Sequence, residues 1–178
     1  MNTKLLLKVA DAIKTGVIPG YNKKYQFNQS TWFETDQTNG IGMPSFDVKE
    51  AICAIRSNHC GTACCVAGTT VLIHCLENEN YPQSHISIEQ AAKALLNLPE
   101  FVSQIFFDEQ FMVKPDCEDK LNDVMSDYLK KMVNDGIHPT MYKLIYDDRF
   151  EPRIRRVFQK CLCNQSDFAL LYLIDIPG

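Results

Sequence analysis

The sequence has no apolar run approaching the roughly 18 residues that a membrane-spanning helix requires, which predicts a soluble protein with no membrane partner. Its first sixteen residues mix Lys4, Lys8 and Lys14 with short apolar stretches. They lack an uninterrupted apolar core ahead of a small-residue cleavage site, so no signal peptide is expected there. Positive charge is not in excess: 18 Lys and Arg against 22 Asp and Glu leave a formal net charge of -4. That balance does not favour nucleic acid as a partner. No Cys-x-x-Cys pair occurs, which removes the strongest signature of a structural zinc site. Cys161 and Cys163, or Cys60 and Cys64 with His59 nearby, are weaker sets of that kind, and neither a metal nor a cofactor is assigned. Internal repeats and low-complexity tracts are missing too, which argues against solenoid or linker architecture.

What the chain does have is cysteine: eight in 178 residues, five of them between Cys53 and Cys75. Cys64 and Cys65 are adjacent, an awkward spacing for a disulfide. Without an export signal, the pattern implies reduced thiols in a cytoplasmic setting. A chain of this length, with 46% hydrophobic and 22% charged residues, suits one globular domain spanning residues 1–178.

Apolar spacing predicts a mainly α fold: a compact multi-helix domain around a central cysteine-rich helix, with a minor β element near the C-terminus. Leu6, Val9, Ala10 and Ile13 recur at helical spacing over Thr3–Thr15, with Gly16 placed to end the helix. A connection follows through Pro19, Gly20 and the polar residues up to Ser30, anchored to the core by Trp32 and Phe33. Asp47 and Glu50 resemble a capping box for a short helix through Ile55, and Ser87 and Gln90 form another, ahead of the stripe Ile88, Ala91, Ala92, Leu95 and Leu96. Pro99 suits the first turn of a helix holding Phe101, Val102, Ile105 and Phe106. Leu121, Val124, Met125, Tyr128 and Met132 form one face of a helix over residues 116–134, closed before Gly136. Pro152 opens a further helix with Ile154, Val157, Phe158 and Cys161 as its apolar side. For residues 141–146 and 168–176 periodicity does not separate helix from strand.

The segment Cys60-Gly61-Thr62-Ala63-Cys64-Cys65-Val66-Ala67-Gly68 stands out for its small side chains. On a helix starting near Cys60 or Thr62 and running to about Glu77, Cys60, Cys64, Ala67, Val71 and Cys75 share one stripe. Such a helix, apolar on nearly all sides, belongs in the core. The chemical alternative is a nucleophile, since a cysteine at a helix amino end feels the positive end of the dipole. Cys60 would be that nucleophile, His138 the base and Asp147 (or Asp148) the orienting carboxylate. His59 is too close in sequence. His74 lies about 21 Å along the same helix at about 1.5 Å per residue, and His85 sits in a polar connection.

Locally, Cys60 to Cys64 resembles the nucleophile segment of papain-like proteases, especially bacteriocin-processing peptidases. Ala54 stands where those families carry an oxyanion-hole glutamine. A longer resemblance covers roughly residues 27–107. Phe27-Asn28-Gln29-Ser30-Thr31-Trp32, then the Cys60 to Gly68 segment, then Ala91-Ala92-Lys93-Ala94-Leu95-Leu96-Asn97-Leu98 with Ile105-Phe106-Phe107 are similar to a family of small bacterial and bacteriophage proteins. Those carry Phe-Asp-Met-x-x-Trp, Cys-Gly-Thr-x-x-Cys-x-Ala-Gly and Ala-x-x-Leu-Gly-Leu leading to Leu-Phe. This chain departs at Asn28, at Thr69 and at Asn97, where glycine is usual. The resemblance implies a prokaryotic or phage setting and a scaffold centred on Cys60, Gly61, Thr62, Cys64, Ala67 and Gly68, with Trp32. It carries no matching histidine, which lowers the protease alternative.

Arg153, Arg156 and Lys160 share one side of the Pro152 helix, with Arg149 and Arg155 close by. They are the candidate face for a small anionic ligand or an acidic protein partner. The sequence thus favours a non-enzymatic interaction or ligand-binding protein of a bacterial cytoplasm or a phage-infected host, one that would inhibit or sequester part of a host system. A cysteine-dependent hydrolase or transferase using Cys60 is the alternative.

Overall fold

Helix α1, Thr3–Thr15, forms where the periodicity places it, and its two ends show why. The Asn2 side chain accepts from the Leu5 amide at 3.2 Å and donates to the Leu95 carbonyl at 3.1 Å. The Asn2 amide bonds the Leu96 carbonyl at 2.7 Å, so one residue caps this helix and closes the carboxyl end of another. At the far end Gly16 takes φ 67° and returns its amide to Ala12 at 2.9 Å, a left-handed cap that glycine adopts without strain. The computed structural model describes residues 1–29, 34–35, 62–78, 86–107, 113–150, 152, 155–156 and 158–159.

Three short strands follow α1. β1, Tyr25–Phe27, lies inside the stretch that the sequence reads as plain connection; β2 is Glu34–Thr35 and β3 is Thr62–Cys64. β3 is central: Tyr25–Phe27 runs parallel beside it, with Phe27 opposite Cys64, and Glu34–Thr35 pairs antiparallel on its other edge. The sheet therefore sits in the N-terminal half. In the C-terminal half the described residues show only an isolated antiparallel bridge between Val113 and Phe150, and residues 168–176 lie outside the described set.

After Cys65 the chain enters α2, Val66–Glu77, the central helix of the expected mainly α fold. Every residue from Val66 to Ile73 is buried, which is the burial expected of a helix apolar all round. Thr69 and Thr70 survive there because their hydroxyls donate to the Cys65 and Val66 carbonyls at 2.7 and 2.8 Å. The boundary differs from expectation. The helix begins at Val66, so Cys64 belongs to β3 and the predicted stripe from Cys60 to Cys75 is not one helical face. Backbone pairing on both edges of Thr62–Cys64 competes with the helix there, and its partners lie far away in sequence.

α3, Ile88–Leu96, opens on the expected capping box, with Ser87 accepting from the Gln90 amide and Gln90 from the Ser87 amide. It ends at Asn97 in the left-handed region, φ 49°. α4, Glu100–Phe106, follows Pro99. A 3-10 turn over Pro115–Lys120 leads into α5, Leu121–Asn134. α6, Ile137–Ile145, settles residues 141–145 as helix. Residues 152, 155, 156, 158 and 159 are helical, in line with the predicted Pro152 helix.

α1 packs chiefly between α5 and α2, α2 against α3, and α5 against α6. Leu6, Ile13, Leu72, Phe106, Tyr128 and Phe150 are among the largest side chains sealed inside, each worth about 1.5–3 kcal/mol in burial. Lys130–Asp11 at 2.7 Å and Lys14–Asp123 at 3.5 Å clip α1 to α5 from outside, and Lys8–Glu77 ties α1 to α2. These exposed pairs add about 0–1 kcal/mol each.

Candidate functional site

The described part of the small-residue motif is a strand-to-helix junction. β3 delivers Cys64, and Cys65 turns the chain at φ -75°, ψ -175° as the residue ahead of α2. Both are fully buried, as is Ala67, and Cys75 is 1% exposed in the last turn of α2. The Asn28 amide reaches the Cys64 carbonyl at 2.9 Å, extending the β1 pairing. Tyr25, 5% exposed, shares a 2.7 Å hydroxyl contact with Thr69, so strand β1 and helix α2 are pinned through a polar pair inside the core. Cys60, Gly61 and Trp32 lie outside the described residues, as does the Thr62 side chain; Gly68 is buried on α2.

The electrostatics of this junction oppose ionisation. Burial is the largest effect on the Cys65 thiol and pushes it up to about 11, against the pull of the Gly68 and Ala67 amides at the amino end of α2. A thiol in that range is protonated at neutral pH and a poor nucleophile. Burial, with Cys64 adding a smaller repulsion, likewise pushes Tyr21 up to about 12 and holds Tyr25 well above the usual phenol range.

The proposed base and orienter occupy different surroundings. His138 sits in the first turn of α6, half-buried, with its ring stacked on Phe101 at 6.1 Å between centroids and 29° between planes. Asp147 follows α6 and faces the opposite way chemically. Its Oδ2 accepts from the Tyr128 hydroxyl at 2.6 Å and from Arg149 Nη2 and Nε at 2.6 and 3.0 Å. Its Oδ1 accepts from the Arg149 amide and Nε at 2.9 and 3.0 Å. A carboxylate has about four lone-pair sites, so this one is filled by Tyr128 and Arg149. Burial alone would raise its pKa, but the hydrogen bonds from Arg149 and Tyr128 and the Arg149 charge outweigh that and hold it at about 2. His74, half-buried on α2, has its Nδ1 3.2 Å from the Asn78 side-chain nitrogen; His59 and His85 lie outside the described residues.

Of the basic candidates, Arg156 is exposed, while Arg153 and Lys160 lie outside the described residues. Phe158 belongs to the apolar side that the spacing predicts for that helix, but the sequence reading missed the aromatic and cationic cluster it joins. Phe158, 3% exposed, meets Phe150 edge-on at 5.6 Å, and Phe150 meets Tyr128 at 6.1 Å. Arg149 and Lys131 stand 5.8 and 5.1 Å from the Tyr128 ring centre. A signal was present: Tyr128 is the one aromatic hydroxyl in the apolar stripe of α5, and a buried tyrosine needs a polar partner.

Among the described residues no group of three or more His, Cys, Asp or Glu side chains is arranged to hold a metal ion, and no helix is long and apolar enough to cross a membrane. Large exposed apolar side chains there are Val17, Tyr142 and Tyr146, the two tyrosines touching at 5.0 Å. No protein-family model, curated protein or solved structure matches the chain.

Proposed function

We propose that this protein acts by binding rather than by catalysis: an interaction or ligand-binding protein of a bacterial cytoplasm or phage-infected cell, which sequesters or inhibits a component of its host. The observation that carries the reading is the Cys64–Cys65 junction, sealed from solvent with the Cys65 thiol held up near 11. Small residues in the motif then serve close packing of a central strand and helix, not thiolate chemistry. The filled Asp147 carboxylate adds support, because it leaves no acceptor to orient an imidazole.

The test is alkylation of the folded protein by iodoacetamide across neutral to alkaline pH, with each site read by peptide mass spectrometry. Cys64, Cys65 and Cys75 are expected to react only after denaturation, and Cys60 to show an ordinary thiol profile near pH 8.5 or above, roughly that of an unperturbed cysteine. A Cys60 that labels rapidly with a midpoint well below about pH 7, and loses this when His138 is replaced by alanine, would sink the binding reading and restore the hydrolase.

A further inference from the structure

We propose that Tyr142 and Tyr146 form a site of oxidative modification, at which a one-electron oxidant couples the two rings into an intramolecular dityrosine. Tyr142 lies in the last turn of α6 and Tyr146 is its carboxyl cap, four residues on, so the two share one face. Their ring centres stand 5.0 Å apart with 51° between the planes, and the two hydroxyls are hydrogen-bonded to each other. The ring carbons beside those hydroxyls, the Cε atoms, therefore lie nearest across the pair. A phenoxyl radical carries its unpaired electron on these carbons, so the atoms that would bond already face each other.

Access singles out this pair among the described phenols. Tyr142 is 37% and Tyr146 53% exposed, whereas Tyr25 and Tyr128 are sealed in the core with their hydroxyls committed to Thr69 and Asp147. The Tyr21 hydroxyl is buried as well. Exposed thiols would compete for an oxidant, but of the described cysteines Cys64, Cys65 and Cys75 are buried and Cys117 is half-buried. The backbone beneath the pair is fixed. Leu144 and Ile145 point into the core, and Asp147, next in the chain, holds this end of α6 to Tyr128 and Arg149. In the coupling each phenol gives up one electron and its hydroxyl proton, and the two Cε radicals join in a carbon–carbon bond. Each bonded carbon then loses its hydrogen as a proton while its oxygen regains one. In sum two C–H bonds break, one C–C bond forms, and two electrons and two protons leave. A peroxide-driven one-electron oxidant of the haem peroxidase class takes them and reduces one hydrogen peroxide to two waters. The rings meet outside the core, so coupling leaves the packing of α6 intact.

This modification is independent of the binding reading, and neither depends on the other's test. The folded chain, its accessible thiols blocked with N-ethylmaleimide, is treated with a haem peroxidase and limiting hydrogen peroxide. Monomer is then separated from larger species and digested with trypsin. Cleavage after Lys143 leaves Tyr142 in peptide 132–143 and Tyr146 in peptide 144–149. Intramolecular coupling therefore appears, in the monomer, as these two peptides joined and two hydrogens lighter than their sum, together with dityrosine fluorescence. The yield is expected to be the same at every protein concentration. Tyr142→Phe and Tyr146→Phe are each expected to lose the joined pair while folding as wild type does, and Tyr21→Phe to keep it. Coupling that is confined to dimers and falls on dilution, joined peptides carrying other tyrosines instead, or a joined pair that survives in either phenylalanine variant overturns the proposal.

Discussion

Replacing Asp147 by asparagine keeps the shape of the side chain and removes its charge, which isolates what the carboxylate does. In the folded protein it sits at about 2 rather than the ordinary 3.8, with a side chain only 9% exposed. A difference of that size corresponds to about 2 kcal/mol of stability, at about 1.4 kcal/mol per pKa unit. The folded-state value is the depressed one, so this contribution is fully present above the unfolded value near 4. It is lost as pH falls from there through about 2. Asp147→Asn should therefore be less stable than wild type by about 2 kcal/mol at neutral pH, a fall of roughly 4–8 °C in melting temperature for a chain this long. The gap should close on acidification, because protonation makes wild type resemble the variant. Urea unfolding of both proteins from about pH 7 down to about pH 2.5 reads this directly. Equal stability at neutral pH, or a gap that persists unchanged below about pH 3, would refute the assignment of the carboxylate to Arg149 and Tyr128.

Leu72, fully buried on α2, should cost about 2–5 kcal/mol when cut to alanine, measured by denaturant unfolding. Asn97→Gly should raise the melting temperature slightly and Asn97→Val lower it by the equivalent of about 1 kcal/mol or more, because the position needs a positive φ. Tyr25→Phe and Thr69→Val should each destabilise by about 1 kcal/mol, and a double-mutant cycle should show coupling, since each hydroxyl is the other's partner at 2.7 Å.

Local chemistry made much of this fold legible. α1 ends at the expected Gly16 and α3 opens on the expected Ser87–Gln90 box, because these residues act on backbone groups within a few residues of themselves; the Asn2 cap of α1, equally local, was not read from the sequence. The buried stripe of α5, Val124, Met125, Tyr128 and Met132, follows from its 3.6-residue period. Where the sequence misled, the deciding partner was remote. Thr62–Cys64 is strand because Tyr25–Phe27 and Glu34–Thr35 flank it, and no window around Cys60 contains those residues. The short apolar stretch of α6 has too few turns for periodicity to declare itself. Asp147 was paired with His138 on sequence separation alone; its actual partners, Arg149 two residues on and Tyr128 on another helix, emerge only when α5 and α6 pack together. The basic face was read from the exposed side, where Arg156 stands, while the neighbouring Arg155 is half-buried, its Nε making no hydrogen bond among the described residues.

A catalytic thiol and a structural thiol ask opposite things of the same short motif. The first must meet substrate and hold negative charge, so it needs an opening and donors that outweigh desolvation. The second needs only a small apolar volume where a strand runs into a helix. At Cys65 the two demands can be compared directly, because the amides of Ala67 and Gly68 supply the donors that a nucleophile would use, and burial still wins. At Cys65, therefore, the amino end of α2 does not activate the thiol. The nucleophile of the hydrolytic alternative is Cys60, outside that junction. That is why a single labelling profile at that one residue separates the binding reading from the hydrolytic one.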